Sequence, residues 1–207
     1  MASLGILGGT FNPPHIGHLV CAQEARAQLA LDRVVLMPVH TPPHKEALDD
    51  PGPEVRLALC RAAAAGDEEL EVSTLELDRG GPSYTVDTLR ALHGSREGDD
   101  LTFIVGGDMA SSLPSWREPE VVLELARMAV AEREEHRRHE IAERVGALRG
   151  APERIVFFAM PRLDISSSDV RARIAGGRPI RWLVPGAVAD EIERRGLYGA
   201  TAGKAVA

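Results

Sequence analysis

The sequence predicts an α/β fold, a doubly wound and mainly parallel sheet with helices on both faces. Three observations carry this. Short apolar runs at residues 4–7, 34–37, 101–105, 128–131 and 155–158 read as strands buried on both faces. Longer stretches of helix formers with helical apolar spacing lie between them. Strand, helix and strand follow one another between residues 4 and 37, a βαβ unit, which requires parallel strands.

Taken in order, the first strand breaks at Gly8-Gly9, and a helix runs from Gly17 to Leu31. The second strand follows at Val34. Pro53 suits the first turn of a helix that ends near Gly66. Residues 70–77 alternate in parts and read as a strand. Residues 83–93 read as a short helix closed by Gly94. The strand at 101–105 stops at Gly106-Gly107, and the strand at 128–131 leads into a charged helix over 134–148. After the strand at 155–158, helices near 168–174 and 188–194 close the chain. One domain over residues 1–199 is expected, with residues 200–207 (ATAGKAVA) as a disordered tail. The longest loops, 39–52 and 106–119, are the natural places for function.

The bulk properties narrow the classes. A net charge of −7 argues against a general nucleic-acid binder, which carries a basic excess. Cys21 and Cys60 form no CxxC pair and read as two small core residues of a reduced, cytoplasmic protein. The start MASLGILGGT has no charged n-region before a long apolar run, so no signal peptide is expected. No stretch has the apolar length of a membrane span.

The segment GGTFNPPHIGHL, residues 8–19, carries the most chemistry. Gly8 and Gly9 allow a sharp turn and close approach of a ligand to the backbone. His15 and His18 share one face at a helix start, where free N–H groups and the helix dipole favour anions. Imidazoles placed there can donate to phosphate oxygens. A metal reading, with His40, His44 or Cys21 completing a set, finds neither HExxH nor a zinc spacing. A purely structural histidine pair is the other alternative. Neither the P-loop nor the G-x-G-x-x-G pattern is present.

Residues 165–171, ISSSDVR, combine Ser166, Ser167 and Ser168 with Arg171 at a second helix start. Plain N-capping and phosphate binding both fit, because both use the exposed N–H groups of a first turn. His40-Thr41-Pro42-Pro43-His44-Lys45 offers a point charge at Lys45, which is otherwise a solvated lysine. In GPSYTVDTL the amides of Tyr84 and Thr85 are expected at the head of a helix, where a carboxylate gains two hydrogen bonds; an ordinary capped helix is the plainer account. In GGDMASSLPSW, Asp108 either accepts from ribose hydroxyls or caps a short helix, and Trp116 offers a stacking face for a flat ring. Trp182 reads instead as a core anchor.

GGTFNPPHIGHL resembles the HxGH signature of the nucleotidyltransferase superfamily, and most of all its form in bacterial nicotinate-nucleotide adenylyltransferases. ISSSDVR resembles the ISSTxxR motif, with Ser168 in the Thr position. PPHK at 42–45 and GRPIRWLVPGAVADEIERRGLYG at 177–199 extend the likeness along nearly the whole chain. Asn12 departs from the Asp more common at that position, which removes a charge and keeps hydrogen bonding. The resemblance implies a Rossmann-like nucleotidyltransferase fold and transfer of AMP from ATP to nicotinate mononucleotide, giving deamido-NAD and pyrophosphate in NAD biosynthesis. It implies that His15, His18 and Arg171 are catalytic. It implies that Gly8, Gly9, Thr10, Phe11, Gly106, Asp108, Ser166, Ser167 and Ser168 bind ATP, and that Asn12, Lys45, Tyr84, Thr85, Trp116 and Arg133 bind nicotinate mononucleotide. Mg²⁺ would arrive with ATP, and no resident metal site is expected. The implied partners are these two small molecules, with no nucleic acid and no membrane; a homo-oligomer is left open. The rival readings are an adenylyltransferase for nicotinamide mononucleotide or phosphopantetheine, a nucleotide-binding module without turnover, and a dinucleotide-dependent oxidoreductase.

Overall fold

Leu101–Val105 is the clearest case of sequence dictating local structure: five apolar or β-branched residues in a row suit a strand covered on both faces. In the computed structural model they form the buried centre of β4 (Asp100–Gly106). The structure describes residues 2–42, 49–95, 98–132 and 134–200. The other strands are β1 (Ser3–Gly9), β2 (Arg33–Pro38), β3 (Leu70–Val72), β5 (Arg127–Ala131) and β6 (Ile155–Phe158), in the sheet order β3-β2-β1-β4-β5-β6. β1 pairs parallel with β4, β4 with β5 and β5 with β6, with Leu4 opposite Leu101 and Phe103 opposite Met128. The order reverses between β1 and β4, the switch point of a doubly wound sheet.

The helices are α1 (Ile16–Leu29), α2 (Pro53–Ala64), α3 (Leu75–Arg79), α4 (Thr85–Ser95), α5 (Gly107–Ser111), α6 (Pro119–Leu125), α7 (Glu135–Val145), α8 (Ala151–Arg154), α9 (Ser167–Ala175) and α10 (Gly186–Arg195). None is long and apolar enough to cross a membrane among the described residues. The chain divides into two compact units. One comprises residues 1–8, 21–35 and 83–161; the other comprises 9–20, 36–82 and 162–207.

In the first unit, Leu4, Ile6, Leu101, Ile104, Met128, Ala129 and Val130 make a dry strand layer. Cys21 is buried in this unit and Cys60 in the second; both are free, and burial pushes each thiol up to about 12, so both are inert. In the second unit, Leu59 and Ala63 of α2 meet Val170 and Ile174 of α9, with Val188, Ala189 and Ile192 of α10. Deleting one such side chain costs about 2–5 kcal/mol, so this cluster holds α9 against α2 and α10.

Several expectations are corrected. The strand at 70–77 ends at Val72, because Thr74 opens the short helix α3. The helix expected at Ser83 starts at Thr85 and runs through Gly94 to Ser95. The loop 106–119 holds α5 and a 3₁₀ turn, Leu113–Ser115. Trp182 is no core anchor: it is 81% exposed, with the Arg181 guanidinium 5.2 Å from its ring. The tail from residue 201, and residues 43–48 of the long loop, lie outside the described residues.

Candidate active site

The second unit brings the two phosphate-type motifs together. The loop between β1 and α1 turns through Phe11, whose φ of 50° lies in the left-handed region. The Phe11 ring is buried against Gly9, where a Cβ would sit 3.1 Å from it; glycine leaves room for that ring. Gly17 serves His15 in the same way. A Cβ on Gly17 would lie 3.0 Å from His15 Nδ1, so the glycine of HxGH lets the imidazole lie on the first turn of α1.

The two imidazoles stack at 3.7 Å between centroids. The His15 backbone N–H donates to His18 Nδ1 at 3.1 Å, which assigns the proton of neutral His18 to Nε2. His15 Nδ1 is buried without a hydrogen-bond partner among the described residues. Burial lowers His15 to about 4, against the pull of the Asp169 carboxylate, and burial followed by the neighbouring His15 lowers His18 to about 3. Both rings are therefore neutral at pH 7, and each acts toward an anion as a hydrogen-bond donor rather than as a cation.

Ser166 caps α9: its Oγ accepts the Asp169 N–H at 3.1 Å and donates to Asp169 Oδ2 at 2.6 Å, a reciprocal cap. Ser167 Oγ donates to the Pro13 carbonyl at 2.8 Å, and Arg171 donates to the Asn12 carbonyl at 2.7 Å. Ser168 stays exposed, 3.4 Å from the Arg171 guanidinium. The serine run thus divides its labour, with one cap, one tie to the first loop and one hydroxyl left toward solvent. Asn12 is buried; its Oδ1 accepts from the Tyr198 hydroxyl at 2.6 Å and its Nδ2 points to the Asp49 carbonyl at 3.5 Å. An amide can fill both roles, whereas a carboxylate has no proton for the second. Arg171, Ser168, Tyr198 and Asp50 help to line a cleft of about 530 Å³.

Arg56 is the residue that sequence reasoning missed. It sits in α2 with no solvent exposure. Its guanidinium donates to the carbonyls of Thr10 (3.1 Å), Val39 (2.6 Å) and His40 (2.9 Å), and to Asp50 at 2.9 Å. It joins the loops that follow β1 and β2 from beneath.

In the first unit, the Tyr84 and Thr85 amides head α4, where no intrahelical acceptor exists. Trp116 is only 9% exposed; its indole N–H donates to Ser112 Oγ at 2.9 Å and its ring meets Phe103 edge-on. Gly106 is the N-cap position of α5 and is exposed, so Asp108 is not the cap. Asp108 is itself exposed and accepts from Arg137 at 2.8 Å. Lys45 and Arg133 lie outside the described residues. Among the described residues no group of three or more His, Cys, Asp or Glu is placed to hold a metal ion.

Comparison with known proteins identifies the family. The cytidylyltransferase-like family model matches residues 6–173. A probable nicotinate-nucleotide adenylyltransferase of Roseiflexus sp. (strain RS-1) is 47% identical over 199 residues, spanning 95% of this chain and 98% of that protein. One of Shouchella clausii (strain KSM-K16) is 39% identical over 96% of this chain and 98% of its own length. The solved nicotinic acid mononucleotide adenylyltransferase of Plasmodium falciparum, complexed with APC, superposes with a TM-score of 0.76 over 97% of this chain and 99% of that one. At 16% identity that likeness speaks for the fold alone. With the family model covering most of the sequence and full-length relatives this similar, the chain belongs to the nicotinate-nucleotide adenylyltransferases of the cytidylyltransferase-like family.

Proposed function

We propose that this enzyme transfers the AMP part of ATP to the phosphate of nicotinate mononucleotide, giving deamido-NAD and pyrophosphate, a step of NAD biosynthesis. The observation that carries the reading is the joining of the two motifs: Ser167 and Arg171 hold the carbonyls of Pro13 and Asn12 across more than 150 positions of sequence. Two helix starts, α1 and α9, are thereby tied to one loop, and the positive end of each helix dipole favours a polyphosphate, although the Ile16 and His18 N–H groups of α1 already donate to the Leu183 and His15 carbonyls.

The reaction is an in-line displacement. The acceptor phosphate oxygen attacks the α-phosphorus, the bond to the β-phosphate bridging oxygen breaks, and pyrophosphate leaves with the electron pair. The attacking oxygen is ionised at pH 7, so no general base is required, and the protein acts by positioning and by stabilising charge. His15 and His18 donate from neutral rings, and Arg171 and Ser168 supply charge and a hydroxyl. Gly8, Gly9, Thr10 and Phe11 shape the loop, Ser167 anchors it, Ser166 caps α9 at the triphosphate, and Gly106 and Asp108 serve ATP. Tyr84, Thr85 and Trp116 receive the nicotinate ring, and Asn12, Lys45 and Arg133 its nucleotide. Mg²⁺ would enter with ATP, carried mainly by the phosphate oxygens.

The proposal includes residues 1–199 working as one domain, in support of which β1 and β2 each pass from one compact unit into the other. It also includes a cytoplasmic location, and no nucleic-acid partner, the latter alone supported by the net charge of −7. The test is pyrophosphate release from MgATP with nicotinate mononucleotide, nicotinamide mononucleotide and phosphopantetheine in turn. Release with the first above the others is expected. Silence with all three makes the chain a nucleotide-binding module, and a preference for another acceptor reassigns the substrate.

A further inference from the structure

Arg117 follows Trp116 in the chain, and its guanidinium lies over the Tyr84 ring, 5.0 Å from the centroid. Two carboxylates approach it, Asp87 at 3.4 Å and Glu118 at 3.8 Å. Glu118 is already engaged: both of its oxygens accept from the planar fork of Arg90, at 3.1 and 2.7 Å. Arg117 is therefore left with long contacts, although a guanidinium carries five N–H donors. Stacking on the tyrosine ring holds it in place without using those donors. Its side chain is 52% exposed, so it faces solvent beside the first turn of α4.

The head of α4 favours an acid over an amide through its N–H donors and the helix dipole, and a full charge beside it widens the difference. Both present an oxygen that accepts from backbone N–H groups, and only the acid adds a full negative charge. A neighbouring full positive charge responds to that difference. Resting on the function proposed above, we infer that Arg117 is a specificity-determining residue, whose charge beside Tyr84 favours the carboxylate of nicotinate over the neutral amide of nicotinamide. Asp87 works against it, because its carboxylate in the first turn of α4 offsets part of the Arg117 charge.

The test measures kcat/KM for nicotinate and nicotinamide mononucleotides in the wild-type enzyme and in Arg117→Gln, Arg117→Lys and Asp87→Asn, at low and high salt. Arg117→Gln is expected to lower the acid-to-amide ratio about fivefold, the size of a half-exposed ion pair, with the loss on the acid substrate. Arg117→Lys should restore part of the ratio, Asp87→Asn should raise it, and salt should narrow the gap between wild type and Arg117→Gln. A ratio unchanged in Arg117→Gln, or an equal loss on both substrates, overturns the inference while leaving the proposed function standing. A wild-type enzyme without turnover of nicotinate mononucleotide overturns both.

Discussion

Replacing Arg56 by Met tests how the phosphate loop is held. The guanidinium has no solvent exposure and makes hydrogen bonds to three backbone carbonyls and one carboxylate. Methionine fills a similar volume and makes none of them. Asp50 would keep its charge, partly reached by water, while the carbonyls of Thr10, Val39 and His40 would lose a charged donor. Each such bond is worth about 1.5–3 kcal/mol net, and part of their sum returns because the buried cation no longer has to be desolvated. Breaking a buried charged pair on one side costs about 3–5 kcal/mol, which we take as the expected loss. At about 2–4 °C per kcal/mol for a chain of this length, Tm should fall by roughly 6–20 °C. Urea denaturation measures the free energy directly. A double-mutant cycle with Asp50→Asn separates the ion pair from the carbonyl contacts. The KM for ATP should rise as well, because Thr10 belongs to the loop proposed to hold the triphosphate. A loss below about 1 kcal/mol would refute the claim that this guanidinium organises the two loops.

Three further outcomes are expected. His18→Ala should lower kcat by about 10²–10³-fold, the scale of one lost charge-stabilising donor, while the far-UV circular dichroism is retained; near-normal turnover contradicts the role. Gly17→Ala puts a methyl 3.0 Å from His15 Nδ1, so it should lower kcat by displacing that ring while costing little stability, and steady-state kinetics beside thermal melts separates the two. Stability should depend on pH through His15 and His18, whose folded values of about 4 and 3 lie below the unfolded value. The unfolded chain binds more protons below pH 6.5, so their contribution is intact above that pH and is lost as pH falls toward the folded values. For His15 this amounts to about 2 kcal/mol at pH 5, and His15→Asn should flatten that part of the profile measured by urea denaturation.

What the sequence made legible was what local chain chemistry controls. The two histidines, the glycine between them and the serine cap each follow from a helix start, and the structure places them at Ile16 and Ser167 as the pattern requires. The parallel strands were equally clear, because burial on both faces leaves continuous apolar runs. Arg56 was hidden for the opposite reason. Inside PEVRLALCR it looks like one polar residue on an amphipathic helix, and only carbonyls from two other loops make it a buried anchor. Trp182 misled in the other direction: hydrophobic size suggested a core role, but the ring is stacked by Arg181 and left in solvent. Residues 70–77 mixed strand-like alternation with good helix formers, and the short α3 prevailed after Thr74. Arg117 carries no motif at all, and its contact with Tyr84 depends on a fold that joins residues more than 30 positions apart.

The most direct measurement is a crystal structure of the enzyme with Mg²⁺ and a non-hydrolysable ATP analogue. The account predicts triphosphate oxygens within hydrogen-bond distance of His18 Nε2 and of the Arg171 guanidinium at once. An analogue bound by only one of the two motifs, or seated away from both, would contradict it.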